Sequence, residues 1–223
     1  MRIVAEIPAR YGSKRVKNKN LKLLNGKPMI AYAINAAKQS KLIHNVYVNT
    51  EHDKIGEIAT QLGVNYFKRN SDLADDDTTS DEFNYDFLKN VDCDILVMIN
   101  PVSPLITSND IDKAIKYYFD KKIDTMISIR EEQLQSFMLN KPINFDPDKK
   151  LPKTQDINPI QICSWAICIW NKEIFIKHYE EYGHAVFSGE YGFYKLDKIT
   201  SLKISEPIDF KMAELLLKAK ESK

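Results

Sequence analysis

One feature constrains this chain more than any other: a buried strand that runs straight into a cationic loop and then a helix. Arg2-Ile3-Val4-Ala5-Glu6-Ile7 reads as a short strand, Arg10-Tyr11-Gly12-Ser13-Lys14-Arg15-Val16-Lys17-Asn18-Lys19-Asn20 as the loop, and Lys27-Pro28-Met29-Ile30 opens a helical pattern. This is the order in which α/β proteins hold a polyphosphate. A glycine such as Gly12 lets the backbone approach the anion, backbone N–H groups line the concavity, and cations neutralise the phosphate charge. Five cations lie between Arg10 and Lys19, where without an anion they repel one another. The alternative is a solvated basic loop. Neither Gly-x-x-x-x-Gly-Lys-Ser/Thr nor Gly-x-Gly-x-x-Gly occurs here.

Strand and helix patterns then alternate. Helical spacing of apolar residues covers Pro28–Ser40, Asn45–Val48 is strand-like, and Asp53–Leu62 is a helix closed by Gly63. Asn65-Tyr66-Phe67 is a short strand, Asp81–Lys89 helical, and Cys93–Ile99 an apolar run of the kind buried on both faces of a parallel sheet. Ser108-Asn109-Asp110 reads as the cap of a helix from Ile111 to Phe119, and Thr125–Ile129 as a further strand. The rhythm predicts a doubly wound, mostly parallel α/β sheet. It breaks at residues 136–160, where Pro142, Pro147, Pro152 and Pro159 indicate turns and short extended pieces. Ile160–Trp170 is strand-like and Asn171–Glu181 helical. Tyr194-Lys195-Leu196 and Ser201–Ile204 resemble short strands, and Ile208–Lys220 makes a terminal amphipathic helix.

At 223 residues the chain suits one domain, residues 1–223, with 136–160 as an inserted arm. A net charge of +1 leaves no overall basic field for nucleic acid or a membrane surface. The three cysteines, Cys93, Cys163 and Cys168, form neither a disulfide framework nor a metal-ligand spacing. Charged Arg2, Glu6 and Arg10 interrupt the N-terminal apolar segment, and no stretch approaches the ~20 apolar residues that span a bilayer. A cytoplasmic protein is expected. The four histidines have no partner signature, and no Gly-x-Ser-x-Gly elbow is present, which removes a serine-hydrolase reading.

In an open parallel sheet, ligands bind beyond the carboxyl ends of the strands. The segments that follow the strands are all polar: the Arg10–Asn20 loop, Asn49-Thr50-Glu51-His52, Lys68-Arg69-Asn70-Ser71-Asp72-Leu73, and Asn100-Pro101-Val102-Ser103-Pro104-Leu105. In order and spacing they resemble the signatures of the acylneuraminate cytidylyltransferases, the CMP-sialic acid synthetase family. Arg10, Ser13, Lys14, Lys19 and Asn20 match its N-terminal Ala-Arg-x-x-Ser-Lys-Gly-x-x-x-Lys-Asn pattern, with Arg15 at the glycine. Asn49-Thr50-Glu51 matches the turn after its second strand. Arg69, Leu73, Ala74, Asp76, Thr79 and Ser80 match its Arg-Pro-x-x-Leu-Ala-x-Asp segment and the hydroxyl residues beyond, and Asn100–Ile106 its Gln-Pro-Thr-Ser-Pro-Leu-Arg turn. The likeness covers residues 1 to about 120 and continues weakly to Glu214.

The resemblance implies a Rossmann-like nucleotidyltransferase that transfers CMP from CTP to an acidic sugar and releases pyrophosphate, for surface-glycan synthesis. It implies nucleotide binding by Ala9, Arg10, Gly12, Ser13, Lys14 and Lys19, with Arg69, Thr79 and Ser80 reading cytosine. Arg10, Lys19 and Asn20 are the catalytic candidates, and Asn20, Asn100 and Ser103 the acceptor-binding ones. Mg²⁺ is the implied cofactor, and a homodimer built through the 136–160 arm the implied assembly. Positioning and electrostatic stabilisation of the leaving pyrophosphate then supply most of the catalysis.

Two departures stand out. Where the family has Asp-Ile-Asp-x-x-x-Asp, whose first two aspartates serve the metal, this chain has Lys203-Ile204-Ser205-Glu206-Pro207-Ile208-Asp209. Glu206 and Asp209 are the remaining metal candidates, though Asp209 also reads as a residue at a helix N-terminus. On the acceptor side, Asn-Gly-Ala-Ile-Tyr-Ile becomes Ser164-Trp165-Ala166-Ile167-Cys168-Ile169, and the arginine after Pro-Leu is Ile106. These changes favour a related ulosonic acid over N-acetylneuraminic acid itself. They also leave open a CTP-dependent transferase that makes CDP conjugates of a phosphorylated sugar or alcohol, and a non-catalytic nucleotide-binding homologue.

Overall fold

The computed structural model describes residues 1–13 and 15–221. Its strands, in chain order, are β1 (Ile3–Pro8), the short pair β2 (Leu23–Leu24) and β3 (Lys27–Pro28), β4 (Asn45–Thr50), β5 (Asn65–Lys68), β6 (Ile95–Ile99), β7 (Thr125–Glu132), the short pair β8 (Phe137–Met138) and β9 (Lys141–Pro142), β10 (Ile160–Asn171) and β11 (Tyr191–Lys195). The helices are α1 (Met29–Gln39), α2 (Asp53–Gln61), α3 (Ser80–Asn90), α4 (Ser108–Lys121), α5 (Lys172–Tyr182) and α6 (Pro207–Glu221).

Seven strands form the main sheet, ordered β11-β7-β10-β6-β1-β4-β5. The β1, β4, β5 and β6 pairings are parallel, as is that of β11 with β7, whereas β10 runs antiparallel to both β6 and β7. This is the mostly parallel α/β fold that the alternating patterns predict. The reversal at β10 has a simple cause. The chain leaves β7, crosses the proline-rich segment without a crossover helix, and returns beside β7, which only an antiparallel strand can do.

The alternation of buried side chains divides the core. Ala5, Ile7, Val97 and Ile99 face the side packed by α1 and α4, whereas Val4, Leu96, Met98 and Trp170 face Phe87, Leu88 and Phe175 on α3 and α5. A third cluster joins Leu24, Met29 and Leu105 to Ile204, Phe210 and Ala213, and so clamps α6 across the N-terminal hairpin. That hairpin turns at Asn25 (φ 46°) and Gly26 (φ 78°), the paired left-handed residues that a two-residue turn demands.

Two local expectations are corrected. The cap of α4 is Thr107, whose hydroxyl accepts from Asp110 N–H while the Asp110 carboxylate accepts from Thr107 N–H, so the helix begins at Ser108, ahead of Ile111. Ser201–Ile204 joins no strand. Ile204 N–H donates to the Val102 carbonyl, 2.8 Å away, and holds this extended segment against the turn after β6.

The sheet order reverses at β1: the chain proceeds to β4 and β5 on one side and to β6 on the other. A crevice opens at such a reversal, beyond the carboxyl ends of the two diverging strands. Here these ends are Pro8 and Asn100.

Candidate active site

Two adjoining cavities, of about 410 and 460 Å³, occupy this crevice, and Pro8, Arg10, Asp76 and Asn100 line both. The first is completed by Ser13, Arg15, Val16, Lys19 and Asn20 with Pro101 and Val102, the second by Arg69, Thr78, Phe83 and Lys203 among others.

The loop after β1 is held open at both ends. Ala9 N–H donates to the Asn49 carbonyl, and Tyr11 N–H to Glu51 Oε1 at 2.7 Å, while the Tyr11 ring stacks on His52 with centroids 3.8 Å apart. At the other end Asn18 turns left-handed (φ 52°), and its carbonyl accepts from Leu21 and Lys22 N–H. The left-handed turn therefore falls on Asn18. Gly12 has no left-handed backbone, and a Cβ there would meet nothing within 4 Å, so the freedom of a glycine is not required at that position. Ala9 is buried in the core and lines neither cavity. Lys14 lies outside the described residues.

Of the candidate residues, Arg10, Ser13, Lys19, Asn20 and Asn100 line the first cavity together. Arg10 donates to the Asp75 carbonyl at 2.7 Å and pairs with Asp76 at 2.8 Å, which fixes its guanidinium between the cavities. Lys19 donates to the Ile204 carbonyl at 3.0 Å. Burial, then the charges of Arg15, Lys203 and Arg10, lower its pKa to about 8. Four cations thus converge, opposed by Asp76 on Arg10 and by Asp209, and a polyanion relieves the repulsion that remains. Asn20 is 6% exposed. Its Nδ2 donates to the Arg10 carbonyl at 2.9 Å, while Oδ1 is buried without a partner. That bond fixes the side chain and leaves a buried acceptor unsatisfied in a residue that lines the first cavity.

Other predicted residues sit elsewhere. Thr79 caps α3, exchanging hydrogen bonds with Glu82, and Ser80 is the first residue of that helix. Neither lines a cavity, and the hydroxyl found there belongs to Thr78. Ser103 is buried beneath its turn, and its Oγ has no hydrogen-bond partner. Arg69 lines the second cavity at only 4% exposure. Its Nε donates to Asn49 Oδ1 at 2.8 Å, its Nη2 to the Asn49 carbonyl at 2.9 Å, and its guanidinium lies over Phe83 at 4.5 Å. These contacts tie the ends of β4 and β5 to α3, so its donors serve the cavity wall. Arg15 and Lys203 are residues that motif matching left out of the site, and Asp76 is one that it matched without a role. Charge alone signals the two cations, because a lysine or arginine beside a cationic loop is costly unless an anion visits.

The metal candidates do not fit a protein-held ion. Asp209 accepts from Ser205 and Glu206 N–H, both at 2.8 Å, which makes it the bracket of the α6 N-terminus. Glu206 is exposed, and Asp76 is paired with Arg10. Among the described residues no group of three or more His, Cys, Asp or Glu side chains is placed to hold a metal.

Comparison with known proteins accords with this geometry. Over 236 aligned residues the chain is 30% identical to the post-translational flagellin modification protein B of Campylobacter coli, covering 98% of this chain and 96% of that protein. It is 32% identical to an N-acylneuraminate cytidylyltransferase of Escherichia coli, covering 95% of this chain but 51% of that protein, so it spans about half of that relative's length. Its fold is similar to that of a CMP:2-keto-3-deoxy-manno-octonic acid synthetase solved with CTP, with a TM-score of 0.76 and 16% identity over 99% of this chain and all of that one. Residues 4–158 match the Cytidylyltransferase family model, and with the cationic crevice at the sheet reversal this shows that the chain belongs to the cytidylyltransferase family of nucleotidyltransferases.

Proposed function

We propose that the protein transfers CMP from CTP to the hydroxyl of an ulosonic or nonulosonic acid, with release of pyrophosphate, in the cytoplasm and for surface-glycan synthesis. The observation that carries the reading is the convergence of Arg10, Arg15 and Lys19 on one cavity, beside a buried Asn20 whose Oδ1 lacks a partner. The triphosphate occupies the first cavity, and the nucleoside reaches into the second, against Thr78 and Phe83. The acceptor approaches from Asn100. Its hydroxyl attacks the α-phosphorus and the bond to the bridging oxygen of the leaving pyrophosphate breaks. Arg10, Arg15 and Lys19 stabilise the charge that develops there. Asn20, which lines the first cavity, positions the attacking hydroxyl, whose proton passes to solvent as the new P–O bond forms. Mg²⁺ enters only as a counter-ion that CTP carries.

The first test is calorimetric titration with CTP, UTP, ATP and GTP, each with and without Mg²⁺. CTP is expected to bind selectively, and pyrophosphate to be released when a sugar acid is added. A protein that binds none of the four nucleotides overturns the proposal. Products with the mass of CDP conjugates would replace it with the phosphorylated-acceptor reading.

We also propose a homodimer joined through the 136–160 arm of a single 1–223 domain. In this arm Phe137, Met138, Leu139 and Ile143 are all more than half exposed, at 60%, 66%, 91% and 53%. They project around a tight hairpin whose turn residues, Leu139 and Asn140, are both left-handed. Apolar exposure of this kind marks an association surface. Sedimentation at micromolar concentration is expected to give a dimer, and Phe137→Ser with Leu139→Ser to give a folded monomer. A wild-type monomer at that concentration counts against the assembly. No helix among the described residues is long and apolar enough to cross a membrane.

A further inference from the structure

Of the four cations that converge on the crevice, Lys203 alone comes from outside the loop after β1. Its backbone is held from both sides. Leu202 N–H donates to the Ile199 carbonyl at 3.1 Å, and Ile204 N–H to the Val102 carbonyl at 2.8 Å. The Ile204 carbonyl in turn receives Lys19 Nζ at 3.0 Å. The long side chain of Lys203 therefore starts from a fixed point, tied both to the turn after β6 and to the cationic loop.

That point lies near the junction of the two cavities. Lys203 lines the second cavity with Arg10, Asp76 and Asn100, and these three also line the first. Its charge is felt at Lys19, a wall of the first cavity, whose pKa it helps to lower. The nearby carboxylates are committed elsewhere. Asp76 pairs with Arg10 at 2.8 Å, and Asp209 accepts from Ser205 and Glu206 N–H. Among the described residues no carboxylate forms an ion pair with Lys203, which stays exposed. Its ammonium thus keeps three N–H donors for a ligand.

We propose that Lys203 is a catalytic residue that holds the α-phosphate of the nucleotide at the junction of the two cavities. With the nucleoside in the second cavity and the terminal phosphates in the first, the α-phosphate has to cross that junction. Arg10 reaches it from the loop after β1, but its guanidinium is shared with the Asp75 carbonyl and Asp76. Lys203 approaches from the segment before α6. As the acceptor oxygen bonds to phosphorus and the bridging oxygen departs with pyrophosphate, the ammonium donates to a non-bridging oxygen and stabilises the charge gathered there. Lys203 keeps its proton throughout, and that of the acceptor hydroxyl goes to solvent. Lys203 acts at the phosphorus under attack, Arg15 and Lys19 on the leaving group. This assignment rests on the placement of the nucleotide proposed above.

The test compares the whole protein with Lys203→Met, Lys203→Arg and Lys19→Met, each titrated by calorimetry with CTP and with inorganic pyrophosphate. Lys203→Met should weaken CTP about tenfold, as loss of a charge-assisted hydrogen bond does, and change pyrophosphate by less than about twofold. Lys19→Met should weaken both ligands. With N-acetylneuraminate and 3-deoxy-manno-octulosonate as acceptors, kcat should fall roughly 10²-fold in Lys203→Met and recover in part in Lys203→Arg, which keeps the charge. Melting temperatures should not move, because the side chain is exposed. Equal weakening of CTP and pyrophosphate in Lys203→Met, or unchanged CTP binding, overturns the assignment while leaving cytidylyl transfer intact. A wild-type protein that does not bind CTP overturns the nucleotide reading and this assignment together.

Discussion

Lys19→Met is expected to lower kcat/KM for CTP by roughly 10²–10³-fold, the usual cost of removing one donor from a site of developing negative charge. It should do so without lowering thermal stability. Lys19 is an expensive residue for the empty protein, because it is partly buried, with Arg15, Lys203 and Arg10 for neighbours. Methionine keeps the length of the stem and removes the charge that those neighbours oppose. Loss of activity with an unchanged or raised melting temperature separates a catalytic role from a structural one. The pH dependence sharpens the test. With a pKa of about 8 in the free protein, Lys19 is charged below pH 8 and loses its proton above it. CTP binds the charged form better, so affinity in the wild type should fall about tenfold for each pH unit well above 8, over the range in which Lys19 alone titrates. Lys19→Arg, which stays charged, should move that fall to higher pH. A Lys19→Met variant with kcat/KM within threefold of wild type would remove Lys19 from the mechanism.

The second large effect concerns Glu6, buried in the middle of β1 on the face toward α3. Its Oε1 accepts from Asn49 Nδ2 at 2.6 Å, and Oε2 has no partner. Burial raises its pKa from 4.5 to about 7, opposed by the charge of Arg69 and the Asn49 hydrogen bond. Because the folded protein holds this proton more tightly than the unfolded chain, the stabilisation is complete below pH 4.5. It is then lost progressively as pH rises to about 7. The loss is on the order of 3 kcal/mol. Urea unfolding across pH 4.5 to 8 should show that decline in the wild type, and Glu6→Gln should remove it. Parallel profiles for the two proteins would mean that Glu6 does not titrate in this range. Glu6 belongs to a buried network that ends at the second cavity. Asn49 receives Arg69 on its Oδ1 and presents its amide to Glu6, so a change in Glu6 reaches the cavity wall only through the Asn49–Arg69 pair.

Much of this molecule is legible in the chain itself. Strand and helix order follows from apolar spacing and punctuation: Ile95–Ile99 is buried at every position because both of its faces are covered, and Gly63 ends its helix with φ 71°. The cationic loop is equally legible as the candidate anion site, because five cations in so short a stretch have few stable environments without an anion. The boundaries failed where a side chain competes with the backbone. Thr107 captures the cap of α4 three residues ahead of Asp110 by reciprocal hydrogen bonds, which apolar periodicity does not register.

What the chain determined alone is therefore its layered α/β architecture and the position of a cationic loop after the first strand, since both arise from local patterns of polarity and charge. Tertiary structure decided which side chains share the crevice. It spent the donors of Arg69 on Asn49 and brought Lys203 to the cavity that Arg10 borders. It also forced Trp165 into a left-handed bulge beside Asn100. The physical reason is common to all of these. A local pattern sets the direction of a backbone, but a polar or aromatic side chain is committed by whichever partner folding brings within hydrogen-bonding or packing distance, and such a partner can lie 185 residues away along the chain, as Ile204 lies from Lys19.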